Sequence, residues 1–225
     1  MKQKILIVAA HPDDEVLGVG GTSSRHAKDG DTVETIILGE GITSRNDVGG
    51  QESLQGLQAS AKAAAKALGI NSPIILGLPD NRLDSLELLD IIKPIEDVIK
   101  RFSPDTVYTH HGGDLNIDHR ITHSAVLTAC RPTPESSVCR IYAFETVSST
   151  EWMFGQNSQQ VAPQRYVDIT QTIDNKLSAL TCYNSEMRPF PHARSIETIE
   201  SLAKLRGSQV GFLNAEAFEV LLDKS

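Results

Sequence analysis

The sequence predicts an α/β domain, a mostly parallel sheet with helices on both faces. Two observations carry this expectation. Short apolar or β-branched runs alternate with stretches of helical spacing as far as about residue 145. Two clusters of histidines and carboxylates each follow directly on such a run, where ligands bind in α/β sheets, at the carboxyl ends of the strands. At 225 residues and 40% hydrophobic content the chain can bury a substantial core. We expect one domain over 1–225, with an α/β core to 145 and a C-terminal elaboration over 146–225 that folds over the active-site edge of the sheet.

Taken in order, strand 1 covers about Lys4–Ala10, and a helix follows over Glu15–Asp29. Asp31–Leu38 is β-branched and reads as strand 2, and the glycine-rich stretch Gly39–Gly50 reads as a loop. Gln51–Leu68 is alanine-rich and stops at Gly69, a residue suited to a helix C-terminus. Pro73–Leu78 is strand 3, followed by the turn signal Pro79-Asp80-Asn81. Leu86–Arg101 has helical spacing, and Pro94 inside it predicts a kink or a new start. Pro104–Thr109 is strand 4, Asp118–Cys130 a helix and Cys139–Glu145 strand 5. Beyond Thr146 the alternation weakens. We expect a strand at Arg165–Ile169 and helices at Gln171–Tyr183 and Ser195–Arg206, the last ending at Gly207.

The first cluster is His11-Pro12-Asp13-Asp14-Glu15, at the end of strand 1. Acidic residues suit a helix N-terminus, which accounts for an Asp or two but not for the His. The second cluster runs from His110 to His119 after strand 4, and the stretch to His123 holds four of the seven histidines, 110, 111, 119 and 123. Brought to one sheet edge, His11, Asp14 and His119 form a set of two imidazoles and a carboxylate. Such a set leaves a position on zinc open for water, whose pKa the metal lowers toward about 7. Ferrous iron is compatible with the same donors. Asp13 is adjacent to a ligand but points elsewhere by backbone geometry, and is the candidate general base. A His119/His123 pair four residues apart is a competing metal assignment. The glycines at 18, 20 and 21 are not a dinucleotide fingerprint, because His-Pro-Asp-Asp occupies the strand-to-helix turn where that fingerprint belongs. They suit close helix–sheet packing and room beside a metal.

Ala10-His11-Pro12-Asp13-Asp14-Glu15 with the later Asp118-His119 resembles the PIG-L/LmbE-like family of zinc-dependent N-acetylglucosaminyl deacetylases. Gly77-Leu78-Pro79-Asp80 and Pro191-His192-Ala193-Arg194-Ser195 read as further landmarks. The resemblance implies a Rossmann-like domain that removes an acetyl group from an N-acetylated amino sugar or sugar conjugate. It also implies that His11, Asp14 and His119 hold zinc and that Asp13 is the base. Many members have His-Pro-Asp-His at the second motif, where this chain reads Asn116-Ile117-Asp118-His119. Asn116 can donate to an oxyanion but cannot protonate a leaving amine. The acid must come from elsewhere: His192 first, His110 or His111 second, or a protonated Asp13 returning its proton. Asp118 would orient a histidine or cap its helix. Arg45, in the loop after strand 2, and Arg194 are expected with Asn116 and Asp118 in the substrate-binding set. Trp152 suits a sugar wall or ordinary packing. Two rival activities remain, a zinc amidase for a larger amide conjugate and a catalytically impaired metal-dependent sugar-binding protein.

Lys+Arg number 21 against 29 Asp+Glu, a net charge of −8, which excludes a phosphate backbone as an expected partner. The expected partner is a small N-acetyl sugar or glycoconjugate. Cys130, Cys139 and Cys182 are odd in number and widely spaced, so free thiols in a reducing cytoplasm are expected. No segment reaches membrane-spanning length, and the six-residue apolar run near the N-terminus lacks a signal-peptide cleavage site. Monomer and homo-oligomer both remain open.

Overall fold

The computed structural model describes residues 2–41, 54–155 and 160–224. Arg45 lies outside them. Five strands alternate with helices through the first two thirds of the chain. They are β1 (Lys4–Ala9), α1 (Asp14–Lys28), β2 (Thr32–Gly39), α2 (Leu54–Leu68), β3 (Ile74–Leu78), α3 (Leu88–Phe102), β4 (Thr106–His110), α4 (Ile117–Ala129) and β5 (Arg140–Phe144). The remainder contributes β6 (Arg165–Asp168), α5 (Ile173–Thr181), α6 (Ile196–Ser208) and β7 (Ala215–Asp223).

The sheet has seven strands in the order β3-β2-β1-β4-β5-β7-β6. Pairings among β1–β5 are parallel, with Ile7 opposite both Thr35 and Tyr108. β7 runs antiparallel to both β5 and β6. The chain order reverses between β1 and β4, and that switch point opens a crevice at the carboxyl ends of both strands. The two polar clusters of the sequence leave those two ends.

Side chains alternate along β1. Leu6 and Val8 pack with α3 and α4 on one face, through Ile91, Ile95 and Val126. Ile5 and Ile7 pack on the other face with Val19 of α1 and Phe218 of β7. Both faces of β1 are therefore apolar, as a central parallel strand requires.

Three local readings need correction. Pro94 does not mark a new start, since α3 runs through it. Gly207 does not end α6. A Cβ there would lie 2.7 Å from the Phe212 carbonyl oxygen, so the glycine permits the returning chain to cross closely. The sequence reading placed no strand after residue 207, yet β7 occupies the slot between β5 and β6. The C-terminal segment thus lengthens the sheet as well as sending residues 145–152 and 186–195 toward the crevice.

One tail contact enters α1 itself. The Lys176 ammonium donates to the Leu17 carbonyl at 2.7 Å and to Glu216 at 2.6 Å. The Glu216 carboxylate accepts from the amides of Gly21 and Thr22 at 2.9 and 2.7 Å. The glycines at 18 and 21 make room for neighbours from the other elements. A Cβ on Gly18 would lie 2.2 Å from the Phe144 ring, and one on Gly21 would lie 2.8 Å from Ile169. Their role is close packing. Among the described residues no helix is long and apolar enough to cross a membrane.

Candidate active site

β1 ends at Ala9, and the chain turns sharply through His11-Pro12-Asp13 into α1. Gly39, at the end of β2, allows this. A Cβ there would sit 3.0 Å from the Ala10 carbonyl oxygen and 3.3 Å from the His11 ring. Asp13 holds a left-handed conformation, φ 102°, that a non-glycine residue adopts only under constraint. Glu15 supplies one constraint by accepting the Asp13 N–H at 3.0 Å, and it is fixed in turn by the Tyr183 hydroxyl at 2.6 Å. Burial pushes the Glu15 carboxyl up to about 7, against the pull of its Tyr183 hydrogen bond.

The second cluster comes from β4 and α4. Asn116 caps α4, its side-chain oxygen accepting from the Asp118 N–H at 2.8 Å. One turn on, His119 faces α1.

His11, Asp14 and His119 each offer one ligand atom, and the three lie within 4.8 Å of one another. Asp14 Oδ2 is 3.3 Å from His11 Nδ1 and 3.2 Å from His119 Nε2. The far nitrogen of each imidazole meets a carboxylate. His11 Nε2 lies 3.0 Å from Asp118 and 3.1 Å from Asp80, and His119 Nδ1 lies 3.1 Å from Asp114. Asp114 is held by the hydroxyls of Ser149 and Thr150 and by the Asn116 N–H. Carboxylates behind the imidazoles are the usual outer layer of a histidine metal site, where they fix ring orientation and tautomer. A second set, His11, Asp80 and Asp118, has the same compactness but only one imidazole.

The electrostatics fit a cation at this point. Burial works against protonated histidine, yet the hydrogen bonds it donates to Asp118 and Asp14 push His11 up to about 10. His119 rises to about 9 against the same burial, through the charge of Asp14 and the Asp114 carboxylate 3.1 Å from its Nδ1. Burial works against the Asp14 carboxylate, but the charge of His119 and the hydrogen bonds from His11 and His119 prevail, and it stays well below the usual carboxylate range. Its second oxygen, Oδ1, is buried with no hydrogen-bond partner. A buried carboxylate oxygen left unmatched among imidazoles is what a metal cation would satisfy.

His110 and His119 stack with ring centroids 3.9 Å apart, yet they behave oppositely. Burial and the neighbouring His119 hold His110 well below its ordinary value. His110 Nε2 accepts the Ala10 N–H at 2.9 Å, so this ring is neutral and positions the end of β1. That removes it as a proton donor to a leaving group. His111 binds Glu219 of β7 at 2.5 Å, and His123 binds the His110 carbonyl at 2.8 Å. His123 Nδ1 is thus committed to a backbone carbonyl, and His123 belongs to neither compact metal-type group among the described residues.

Asp13 is buried beside Asp14. Burial raises its pKa well above the usual carboxylate value, Arg194 opposes the rise, and Asp14 adds to it. Arg194 Nη1 donates to Asp13 Oδ2 at 2.6 Å and its Nε to Ser148 at 2.7 Å. Arg194, expected on the substrate, is therefore committed to Asp13. Asp118 requires a similar correction. It is fully buried, with one oxygen on His11 and the other accepting the Leu83 N–H at 3.0 Å, so it orients a histidine rather than touching a ligand. Asn116 is committed as well, to its cap and to Asn81 Oδ1 at 3.0 Å. His192 is exposed. Its Nδ1 accepts the Arg194 N–H at 3.0 Å, and the Trp152 ring meets it edge-on at 6.0 Å between centroids. Sequence reasoning assigned no role to Asp80, Asp114, Glu15 or Glu186, the last 3.4 Å from Arg194.

Comparison with known proteins bears on the chemistry. Residues 6–130 match the PIG-L family, described as GlcNAc-PI de-N-acetylase. A protein of Escherichia coli K12 described as uncharacterized deacetylase YaiS is 31% identical over 153 residues, 66% of this chain and 76% of that one. A Bacillus cereus protein described as probable N-acetyl-alpha-D-glucosaminyl L-malate deacetylase 2 is 27% identical over 194 residues, 83% of this chain and 84% of that one. The crystal structure of GalB, the 4-carboxy-2-hydroxymuconate hydratase of Pseudomonas putida KT2440, matches with a TM-score of 0.79 at 23% identity. It covers 100% of this chain and 98% of that one. Likeness at that identity concerns the fold alone, and a fold shared with a hydratase does not itself choose a reaction. The match over more than half of the sequence does choose: this chain belongs to the PIG-L family of de-N-acetylases, hydrolases of the amide bond.

Proposed function

We propose that the protein is a metal-dependent deacetylase of an N-acetylated amino sugar or sugar conjugate. His11, Asp14 and His119 hold the metal and Asp13 is the general base. The observation that carries this is the convergence of those three ligand atoms, with a carboxylate behind each imidazole and the other Asp14 oxygen buried without a hydrogen-bond partner. The names of the relatives support an N-acetylglucosaminyl substrate class. A bound zinc or ferrous ion supplies Lewis acidity, polarising the acetamide carbonyl and lowering the pKa of water.

The chain's own groups do the rest. Asp13 takes a proton from the attacking water as its oxygen bonds to the acetamide carbon. Arg194 secures Asp13 Oδ2 and leaves Oδ1 for this transfer. Glu15 and Tyr183 keep the Asp13 backbone in its constrained turn. As the carbon–nitrogen bond breaks, the nitrogen gains a proton and leaves as the free amine, with acetate as the other product. The proposed donor is Asp13, which returns to the leaving nitrogen the proton it took from the water; His192, whose Nδ1 accepts the Arg194 N–H, has no proton on Nδ1 to make it an acid. The test is acetate release by the zinc-loaded Asp13→Asn variant. A loss of about 10²–10⁴-fold with metal retained is expected of a general base. Turnover within a few fold of the unaltered enzyme would remove Asp13 from that role. A panel of acetyl against bulkier acyl groups separates deacetylase from general amidase.

A further inference from the structure

The loop after β5 has a second side. Behind it lies a cavity of about 450 Å³, within the size range of small-ligand pockets. Val147, Met153, Phe154, Val161 and Leu202 give it apolar walls. The charges that line it are Glu145, Glu151 and Arg206, and each is already engaged. Arg206 grips Glu145 through two nitrogens at 2.8 and 2.7 Å. Glu151 accepts the N–H groups of Ser148 and Ser149 at 2.6 and 3.3 Å. Arg206 is the one cation among the described lining residues, so a phosphate or carboxylate would find its counter-charge already taken. A neutral apolar group meets no such obstacle.

The cavity adjoins the site through its own wall. Thr150, on the wall, donates to Asp114 behind His119 at 2.5 Å. Ser148, in the same loop, binds the Arg194 that holds Asp13. Trp152, between Glu151 and Met153 of the wall, meets His192.

We propose that this cavity receives an apolar aglycone, an alkyl or aryl group carried by the N-acetyl sugar, and thereby selects which conjugates are deacetylated. The inference rests on the sugar-deacetylase reading above.

The probes are methyl, butyl and octyl N-acetylglucosaminides below their micelle concentrations. Acetate release gives KM. Fluorescence of Trp152, the single tryptophan of the chain, gives Kd without turnover. Between the methyl and butyl compounds both constants should fall about two- to fourfold per methylene, as expected for burial of hydrocarbon. In Leu202→Glu and Val161→Glu the dependence on chain length should flatten, while kcat for the methyl compound stays within twofold of the unaltered enzyme. Turnover of the methyl compound with no dependence on chain length would overturn the aglycone cavity and leave the deacetylase reading intact. Dependence that persists in both variants would overturn it too. With no turnover at all, chain-length-dependent fluorescence binding abolished by both variants would uphold the cavity and sink the sugar reading. Flat binding would sink both.

Discussion

The parallel half of the molecule and its C-terminal third contribute different things to one crevice. β1 and β4 deliver the metal-type cluster, His11, Asp14 and His119, and the carboxylates on the imidazoles come from the same half, Asp80, Asp114 and Asp118. The C-terminal third adds none of these. It adds the groups that hold and surround them: Arg194 on Asp13, Tyr183 on Glu15, Ser149 and Thr150 on Asp114, and His192 beside Trp152. The lesson is a division of labour. The switch point of the sheet gathers the charges, and the added elements fix Asp13 and shape what can approach it.

If the tail positions α1, cutting its deepest contact should destabilise the whole fold. Lys176→Met leaves the Glu216 carboxylate buried without its ammonium partner. Breaking a buried pair from one side costs about 3–5 kcal/mol, which urea unfolding would register. A loss below about 1 kcal/mol, the scale of a surface pair, would mean that Lys176 is not a strut. A smaller effect should come from β7, through Glu219 and His111. Burial opposes ionisation of Glu219, but the hydrogen bond from His111 prevails and lowers its pKa below the ordinary 4.5. A depressed carboxylate pKa stabilises the fold above the unfolded value, and that contribution disappears as pH falls through the folded one. The melting temperature of Glu219→Gln should therefore lie below that of the unaltered protein at pH 6, with the gap closing below about pH 4. A gap independent of pH would assign the loss to packing instead.

The same division decides what the sequence discloses. The parallel half repeats a simple grammar, apolar run then polar turn, so its strands and both clusters are visible by eye. His11, Asp14 and His119 stand at strand ends in contiguous motifs. Asp80 and Asp114 do not announce themselves, because an aspartate in a turn looks the same whether it caps a backbone or backs an imidazole. Asp80 was legible as part of a turn and of the Gly77–Asp80 landmark, but without a role, although it follows β3 at the same edge. β7 escaped because Glu216 interrupts its apolar run, and the partner that makes a buried Glu tolerable, Lys176, is 40 residues away. Arg194 and Asp13 are separated by 181 residues, and only folding pairs them. His110 and His119 show the limit most sharply. They are the same residue type, nine positions apart and stacked, yet neighbouring carboxylates push one up and burial pushes the other down.

The central claim, that the parallel half holds the metal and the tail holds the base, is tested most directly by zinc titration alongside acetate release in His119→Ala and Arg194→Ala. His119→Ala should lose both, with metal affinity falling at least about 100-fold, since even outer-layer partners cost 10–100-fold. Arg194→Ala should bind one zinc as tightly as the unaltered enzyme and lose turnover. Full zinc affinity in His119→Ala, or loss of zinc in Arg194→Ala, would contradict the account.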